Sequence, residues 1–182
     1  MKKRATLLFI MVLSCAIAGT YGIINDYFLY KFCPEFFTGF KFIEYGVATD
    51  TASGTESYLI NIIKVGLMAS WWMGLIIGTI LGVVSLPIPV QKTMFSTLFM
   101  AMGITIVITF FASMAGLAYG WLSFSEADIK TSVLFNGQKD LVMPMRFLMC
   151  FNMHNFSYVG AVIGMLAGSI FIIRKKRKLM YF

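Results

Sequence analysis

The chain has 182 residues, of which 59% are hydrophobic and only 13% charged, and its mean hydropathy is +0.81. Soluble globular domains carry about 25% charged residues, so this composition excludes a soluble protein and indicates a membrane protein. The net charge of +7 does not indicate nucleic-acid binding, because the basic residues cluster beside apolar runs and form no basic-aromatic surface.

Four stretches lack Asp, Glu, Lys and Arg and are long enough to cross a hydrocarbon core, which needs about 20 residues. The sequence therefore predicts an all-α membrane protein with a four-transmembrane-helix bundle, and residues 1–182 form a single membrane domain. The predicted spans lie at about 5–24, 65–85, 95–119 and 154–173, with two long outer loops at about 25–58 and 121–153.

The first span raises the question of a cleaved leader. The basic start of MKKRATLLFIMVLSC and a loose lipoprotein box at residues 12–15 would place a lipid on Cys15. Apolar residues continue past Cys15 far enough to reach span length, which favours an uncleaved first helix.

The basic residues predict the orientation. Nine of the 15 Lys and Arg residues lie at the start, at Lys92 or in the tail RKKRK, and the positive-inside rule places these segments in the cytoplasm. All eight acidic residues then fall in the two outer loops. We expect a multi-pass protein of the bacterial inner membrane, with both termini in the cytoplasm and the tail against anionic membrane lipids.

Small residues recur at a four-residue spacing within the spans. Hydrophobic burial cannot hold helices together in lipid, so close backbone approach has to contribute. The pattern resembles a glycine zipper and favours packing within one bundle over a homo-oligomeric seam, while a homo-oligomer or a partner membrane protein stays open. The predicted packing glycines are Gly74, Gly78, Gly82, Gly160, Gly164 and Gly168.

The first outer loop is rich in aromatic residues between positions 27 and 45, which is typical of an interface belt or of a cap folded onto the helix ends. The alternation of Phe40 with Phe42 predicts an extended segment within it. In the second loop, Ser125 is expected to cap a short helix whose first turn is acidic.

The three cysteines, Cys15, Cys33 and Cys150, lack metal-ligand spacing, so no metal site is predicted. Cys33 and Cys150 both lie on the predicted outer side, where they form either a disulfide or two free thiols. The sequence leaves any cofactor unknown.

His154 is the only histidine in the chain. On a helix it shares a face with Ser157 and Tyr158, and Glu35 or Asp26 could supply a partner that favours the charged imidazole. This predicts one outer polar site, which either pins the aromatic loop over the bundle or lines a small outward-facing pocket. Its predicted members are His154, Asn155, Ser157, Tyr158, Glu35 and Asp26.

Two motifs, CPEFFTGFKFIEYG at residues 33–46 and MHNFSYVG at residues 153–160, resemble those of an uncharacterised family of bacterial four-helix integral membrane proteins. In that family a Pro-Glu-aromatic-aromatic-Thr loop precedes a Phe-Lys-Phe run, and a His-Asn-x-Ser-Tyr motif opens the last helix. Ser usually stands where this chain has Cys33, so the resemblance implies no disulfide, and it implies no activity. The matching residues are Pro34, Glu35, Phe36, Thr38, Lys41, His154, Asn155, Ser157 and Tyr158.

Three functional classes stay open. The missing metal and nucleophile motifs favour a non-catalytic protein that binds a ligand or partner with its outer aromatic cap. A small transporter or channel subunit fits a faint repeat, the Tyr-Gly pairs that end the first and third spans, but the spans lack charge. A membrane enzyme would use His154 with Glu35 or Tyr158 as acid and base, although a lone histidine is more often structural.

Overall fold

The computed structural model describes residues 3–47, 54–124 and 141–180, and these residues form helices and no strand. Four of the helices are long and apolar enough to cross a membrane, which confirms the predicted all-α architecture of a multi-pass membrane protein. In chain order the first to fourth helices are Lys3–Phe32, Gly54–Ser85, Gln91–Leu122 and Pro144–Met180.

The long helices extend beyond the apolar stretches that predicted them. The first helix continues through Asp26 to Phe32, and the fourth begins at Pro144, so residues predicted as loop at 25–32 and 144–153 are helical. Apolar composition marks the part of a helix that lipid must cover, whereas the backbone hydrogen bonds can continue past it. Ser125, the expected helix cap of the second loop, lies outside the described residues.

The first and second helices form one antiparallel pair with closely spaced backbones. A Cβ added to Gly78 would come within 2.6 Å of the Ser14 hydroxyl oxygen, and one added to Gly82 would meet the Leu7 side chain. Any larger residue at Gly78 would therefore push the helices apart. The structure places the glycines of the second span in this interface: Gly74, Gly78 and Gly82.

The third and fourth helices form a second antiparallel pair in the same way. A Cβ added to Gly164 would come within 2.8 Å of the Cα of Thr105, and one added to Gly160 would meet Ala112. The two pairs then contact each other mainly through the second and fourth helices. The glycines of the fourth span lie in the interface of the second pair: Gly160, Gly164 and Gly168.

Residues 33–47, here called the cap, cover the end of the bundle opposite the termini. The cap is a chain of short helices, and in its central π-helix, Phe37–Lys41, the Phe42 N–H donates to the Phe37 carbonyl. This wide turn brings Phe37, Lys41 and Phe42 to the same buried side. The extended segment predicted for Phe40 and Phe42 is therefore wrong, because their spacing reflects a wide helical turn.

Two apolar cores fill the bundle. The core under the cap joins its aromatic residues to the cap-side ends of the helices, and Phe36 packs edge-on against Phe37 and Phe147 with centroid distances of 5.4 and 5.3 Å. The core near the termini is aliphatic and includes Ile10, Leu81, Met94, Leu98 and Ile172. The aromatic residues of the cap thus form interior packing.

Candidate functional site

Lys41 occupies the centre of a polar cluster under the cap. Its side chain is 3% exposed, its ammonium group donates to Glu44 Oε2 at 2.8 Å, and the same nitrogen lies 2.9 Å from His154 Nε2. The ring centroids of Phe40 and Tyr45 lie 5.6 and 5.2 Å from this nitrogen. One carboxylate, one imidazole and two aromatic rings therefore compensate the loss of water around the buried charge.

The contact with Lys41 defines the state of His154. A protonated lysine has only donors, so His154 Nε2 accepts and the imidazole is neutral, with its proton on Nδ1. The partner found is a cation, where the sequence had suggested a carboxylate and a charged imidazole. His154 is buried within the fourth helix, well after its start at Pro144, so the His-Asn-x-Ser-Tyr motif does not open that helix in this chain.

A cavity of about 80 Å³ lies between the four helices on the inner side of this cluster. It has room for roughly two or three water molecules or for one small organic molecule. Every long helix contributes polar side chains to its lining, and Ile and Met side chains complete it. Polar lining residues include Tyr21, Asp26, Ser70, Thr109, His154 and Tyr158.

Asp26 lines this cavity and has one carboxylate oxygen without a hydrogen-bond partner among the described residues. The residue is 2% exposed, and among the described residues its Oδ2 has no hydrogen-bond partner, although the neighbouring Asn25 side chain bonds to the carboxyl group. An unpaired carboxylate buried in a protein is costly, so such a group holds a proton or binds a cation. A proton, a hydrogen-bond donor or a cation would therefore satisfy Oδ2.

Tyr158 forms one wall of the cavity and holds the fourth helix against the second. Its hydroxyl donates to the Ala69 carbonyl at 2.9 Å, and its ring stacks on Trp72 with the centroids 5.7 Å apart. The same ring packs edge-on against His154 at a centroid distance of 4.9 Å. Tyr45 of the cap bonds to the Tyr158 hydroxyl, and burial raises the pKa of Tyr45. Both phenols therefore remain uncharged in this wall.

Glu35 has a different role from the one predicted. Its two carboxylate oxygens accept from the backbone N–H groups of Val142 and Met143 at 2.7 and 2.9 Å. These amides come just before the fourth helix, where a negative charge stabilises a helix start. The structure thus gives Glu35 and His154 different partners, and Glu35 fastens the cap to the fourth helix.

The remaining predicted residues divide between the cluster and the surface. The Ser157 hydroxyl lines the cavity and donates to the His154 carbonyl at 2.6 Å, whereas Asn155 is exposed. Cys33 and Cys150 are free thiols, both fully buried and in hydrogen-bond contact with each other. The bond from Cys150 lowers the pKa of Cys33.

Sequence reasoning did not assign Lys41 as the partner of His154. The sequence does contain a signal for this contact: a lysine within an aromatic segment needs a polar partner if that segment is buried. Sequence reasoning also passed over the hydroxyl row of the third helix at Thr105, Thr109 and Ser113, each bonded to the carbonyl four residues earlier. Their four-residue spacing predicts a single helix face.

The described residues contain no group of three or more His, Cys, Asp and Glu side chains that could hold a metal ion. Comparisons with family models, with curated proteins and with solved structures find no match for this chain. Function is therefore inferred from the geometry of the site.

Proposed function

We propose that this chain is a non-catalytic membrane protein that binds a small ligand in the cavity beneath the cap. The observation that carries this proposal is Asp26, which lines a cavity to which all four long helices contribute and whose buried Oδ2 has no hydrogen-bond partner among the described residues. Buried polar atoms in folded proteins almost always have a partner. A ligand that donates to Oδ2 would explain both the missing partner of this atom and the presence of the cavity.

The cap supports this function as a cover. Its aromatic residues pack inward, with Phe36, Phe37 and Phe42 fully buried, so they close the end of the bundle above the cavity. The contact of Lys41 with His154 joins the cap to the fourth helix. Glu35 joins the cap to the residues just before that helix, because it accepts from the Val142 N–H. This modifies the expectation of ligand binding on an outer aromatic surface: the ligand lies beneath the cap.

The charge pattern supplies the membrane setting of the proposal. With the basic segments in the cytoplasm of a bacterial inner membrane, the cap and the cavity face outward. The tail RKKRK meets anionic lipids. Exposed apolar side chains on the third helix, such as Val107 and Phe111, leave room for lipid, a partner membrane protein or a second copy. We also propose that the chain is a member of the four-helix membrane family that its two motifs resemble.

A small transporter is the second candidate, and the arrangement of the helix pairs favours it. Each pair is held by close backbone contact, whereas the polar cavity lies between the pairs. Rocking of one rigid pair against the other around a central site is a known mode of alternating access. An enzyme has less support, because Lys41 occupies His154 Nε2 and the Tyr158 hydroxyl is bonded to the backbone.

Native mass spectrometry of the chain extracted in its own lipids tests the binding function. Ser157→Leu fills part of the cavity, and Ser169→Leu is the matched control, because Ser169 lies outside the cavity lining on the same helix and also bonds to the backbone. We expect a stoichiometric additional mass in the wild type and in Ser169→Leu that is absent from Ser157→Leu. A bare chain in all three samples would contradict the proposal.

A further inference from the structure

We infer that the ligand of the cavity is a small cation, which Asp26 binds in exchange for a proton. This rests on the proposed function, because it names the ligand class of the same site. The charges around the cavity and the position of Asp26 lead to it.

The described groups near the cavity lack one positive charge. Lys41 forms an ion pair with Glu44 and also attracts Asp26 electrostatically, so one described cation faces two carboxylates. His154 accepts from Lys41 and is neutral. When Asp26 is ionised, these groups carry a net charge of −1, and its Oδ2 has no hydrogen-bond partner among the described residues.

The other groups that face Asp26 cannot supply this charge. Tyr45 of the cap, Cys150 and Tyr158 of the fourth helix interact with Asp26 electrostatically, and Tyr21 lines the same cavity. Tyrosine and cysteine side chains are neutral or negative in every protonation state. The second and third helices contribute only Ser, Thr, Gly, Met and Ile to the lining. Among the described groups, the charge that balances Asp26 is therefore left to a proton on its carboxylate or to a bound cation.

The cavity limits which cations fit. A volume of about 80 Å³ favours an alkali-metal ion or a short alkylammonium ion over bulky quaternary amines. Hydroxyl oxygens of Ser70 and Thr109 lie in the lining and can accept from an ammonium group or bind a metal ion. In the exchange, the carboxyl O–H of Asp26 breaks, the proton passes to solvent, and the carboxylate pairs with the entering cation, so total charge is conserved.

Thermal unfolding of the full chain in phospholipid nanodiscs tests this inference. The reference salt is choline chloride, which supplies a bulky quaternary cation, and the ionic strength is kept constant. Ethylammonium chloride or sodium chloride replaces the choline salt, and choline acetate tests for an anion. We expect at least one of the two small cations to raise the Tm by a few degrees. Its apparent Kd should rise by up to about tenfold per pH unit as the pH falls from about 8 to about 5, because one proton competes with one cation.

Asp26→Asn should fold, since it removes an unpaired buried charge, and it should lose the cation response. Ser169→Leu is the control and should keep the response, because Ser169 lies on the fourth helix outside the cavity lining. If Asp26→Asn fails to fold, Ser157→Leu provides the test by narrowing the cavity. An undiminished response in Asp26→Asn or in Ser157→Leu, or no wild-type response to either small cation, overturns the inference.

The design separates failure of the cation inference from failure of the proposed function. Stabilisation by acetate that Ser157→Leu abolishes would overturn the cation inference and leave ligand binding in the cavity in place. A resident mass lost in Ser157→Leu, together with no cation response, would do the same. A bare wild-type chain that responds to no solute would overturn both.

Discussion

The ammonium group of Lys41 lies 2.9 Å from Nε2 of His154, and this contact joins two residues that are 113 positions apart in the chain. It connects the cap to the first third of the fourth helix, Pro144–Met180. Both side chains are buried, so water cannot take the place of either partner without a loss of stability. The effects of substituting Lys41 and His154 on the free energy of unfolding should therefore be coupled.

Lys41→Met keeps most of the side-chain volume and removes the donor to His154. We expect it to lower the free energy of unfolding by about 1–3 kcal/mol, because His154 Nε2 is left buried without a partner. His154→Leu should destabilise the protein by a similar amount. The destabilisation of the double variant should be smaller than the sum of the two single destabilisations by at least about 1 kcal/mol. Reversible unfolding in detergent measures all three.

Lys64→Met is the control for the Lys41 substitution, since Lys64 is exposed on the second helix. It should change the unfolding free energy by no more than about 0.5 kcal/mol. Strict additivity of Lys41→Met and His154→Leu would show that the contact contributes nothing to stability.

The packing glycines should tolerate no large side chain. In Gly78→Leu the new side chain meets Ser14, and in Gly164→Leu it meets the backbone of Thr105, so each should destabilise by about 1–3 kcal/mol or more through overpacking. A Cβ added to Gly103 in the third helix would meet no atom within 4 Å, so Gly103→Leu should leave the Tm unchanged or higher. Equal melting of the three variants would show that these interfaces can separate at little cost.

Glu35→Gln should loosen the start of the fourth helix. The variant removes the negative charge that accepts from Val142 and Met143, a loss of about 1 kcal/mol at this exposed position. Hydrogen exchange should become faster for these two amides, while amides on the third helix keep their protection. Unchanged exchange at Val142 and Met143 would mean that the carboxylate does not hold this segment in solution.

Hydropathy alone was sufficient to predict the four spans, because lipid demands continuous apolar sequence and the chain has four such stretches. The glycine spacing identified the residues that lie between helices in each pair, since spacing by four keeps them on one helix face. Hydropathy and glycine spacing are both patterns of residues close together in the chain, so they can be recognised in a single sequence.

The site depended on contacts that no local pattern encodes. The apolar pattern predicts Asp26 in the first outer loop, yet the first helix continues past it and buries it between helices. Lys41 points inward because it lies in a π-helical turn. The alternation of Phe40 and Phe42 had predicted an extended segment at this place. His154 could be singled out as the only histidine, but its partner is known only once the cap is folded onto the bundle.

The Cys33 and Cys150 thiols should form a disulfide when an oxidant is supplied. Both are fully buried and bonded to each other, so the sulfur atoms are neighbours although the residues lie in the cap and the fourth helix. Treatment with copper phenanthroline should therefore give a faster-migrating monomer on a non-reducing gel. The covalent link would raise the free energy of unfolding by about 2–4 kcal/mol, because it restricts the unfolded chain.

Cys15 provides the control for this crosslink, because it lies on the first helix and is only half-buried. Cys15→Ser should still give the fast-migrating species, whereas Cys33→Ser and Cys150→Ser should not. Before oxidation, maleimide should label Cys33 and Cys150 only after unfolding, since neither sulfur is accessible in the folded chain. Rapid labelling of both in the folded protein would mean that the cap opens away from the fourth helix, and the contact between Lys41 and His154 would then be broken as well.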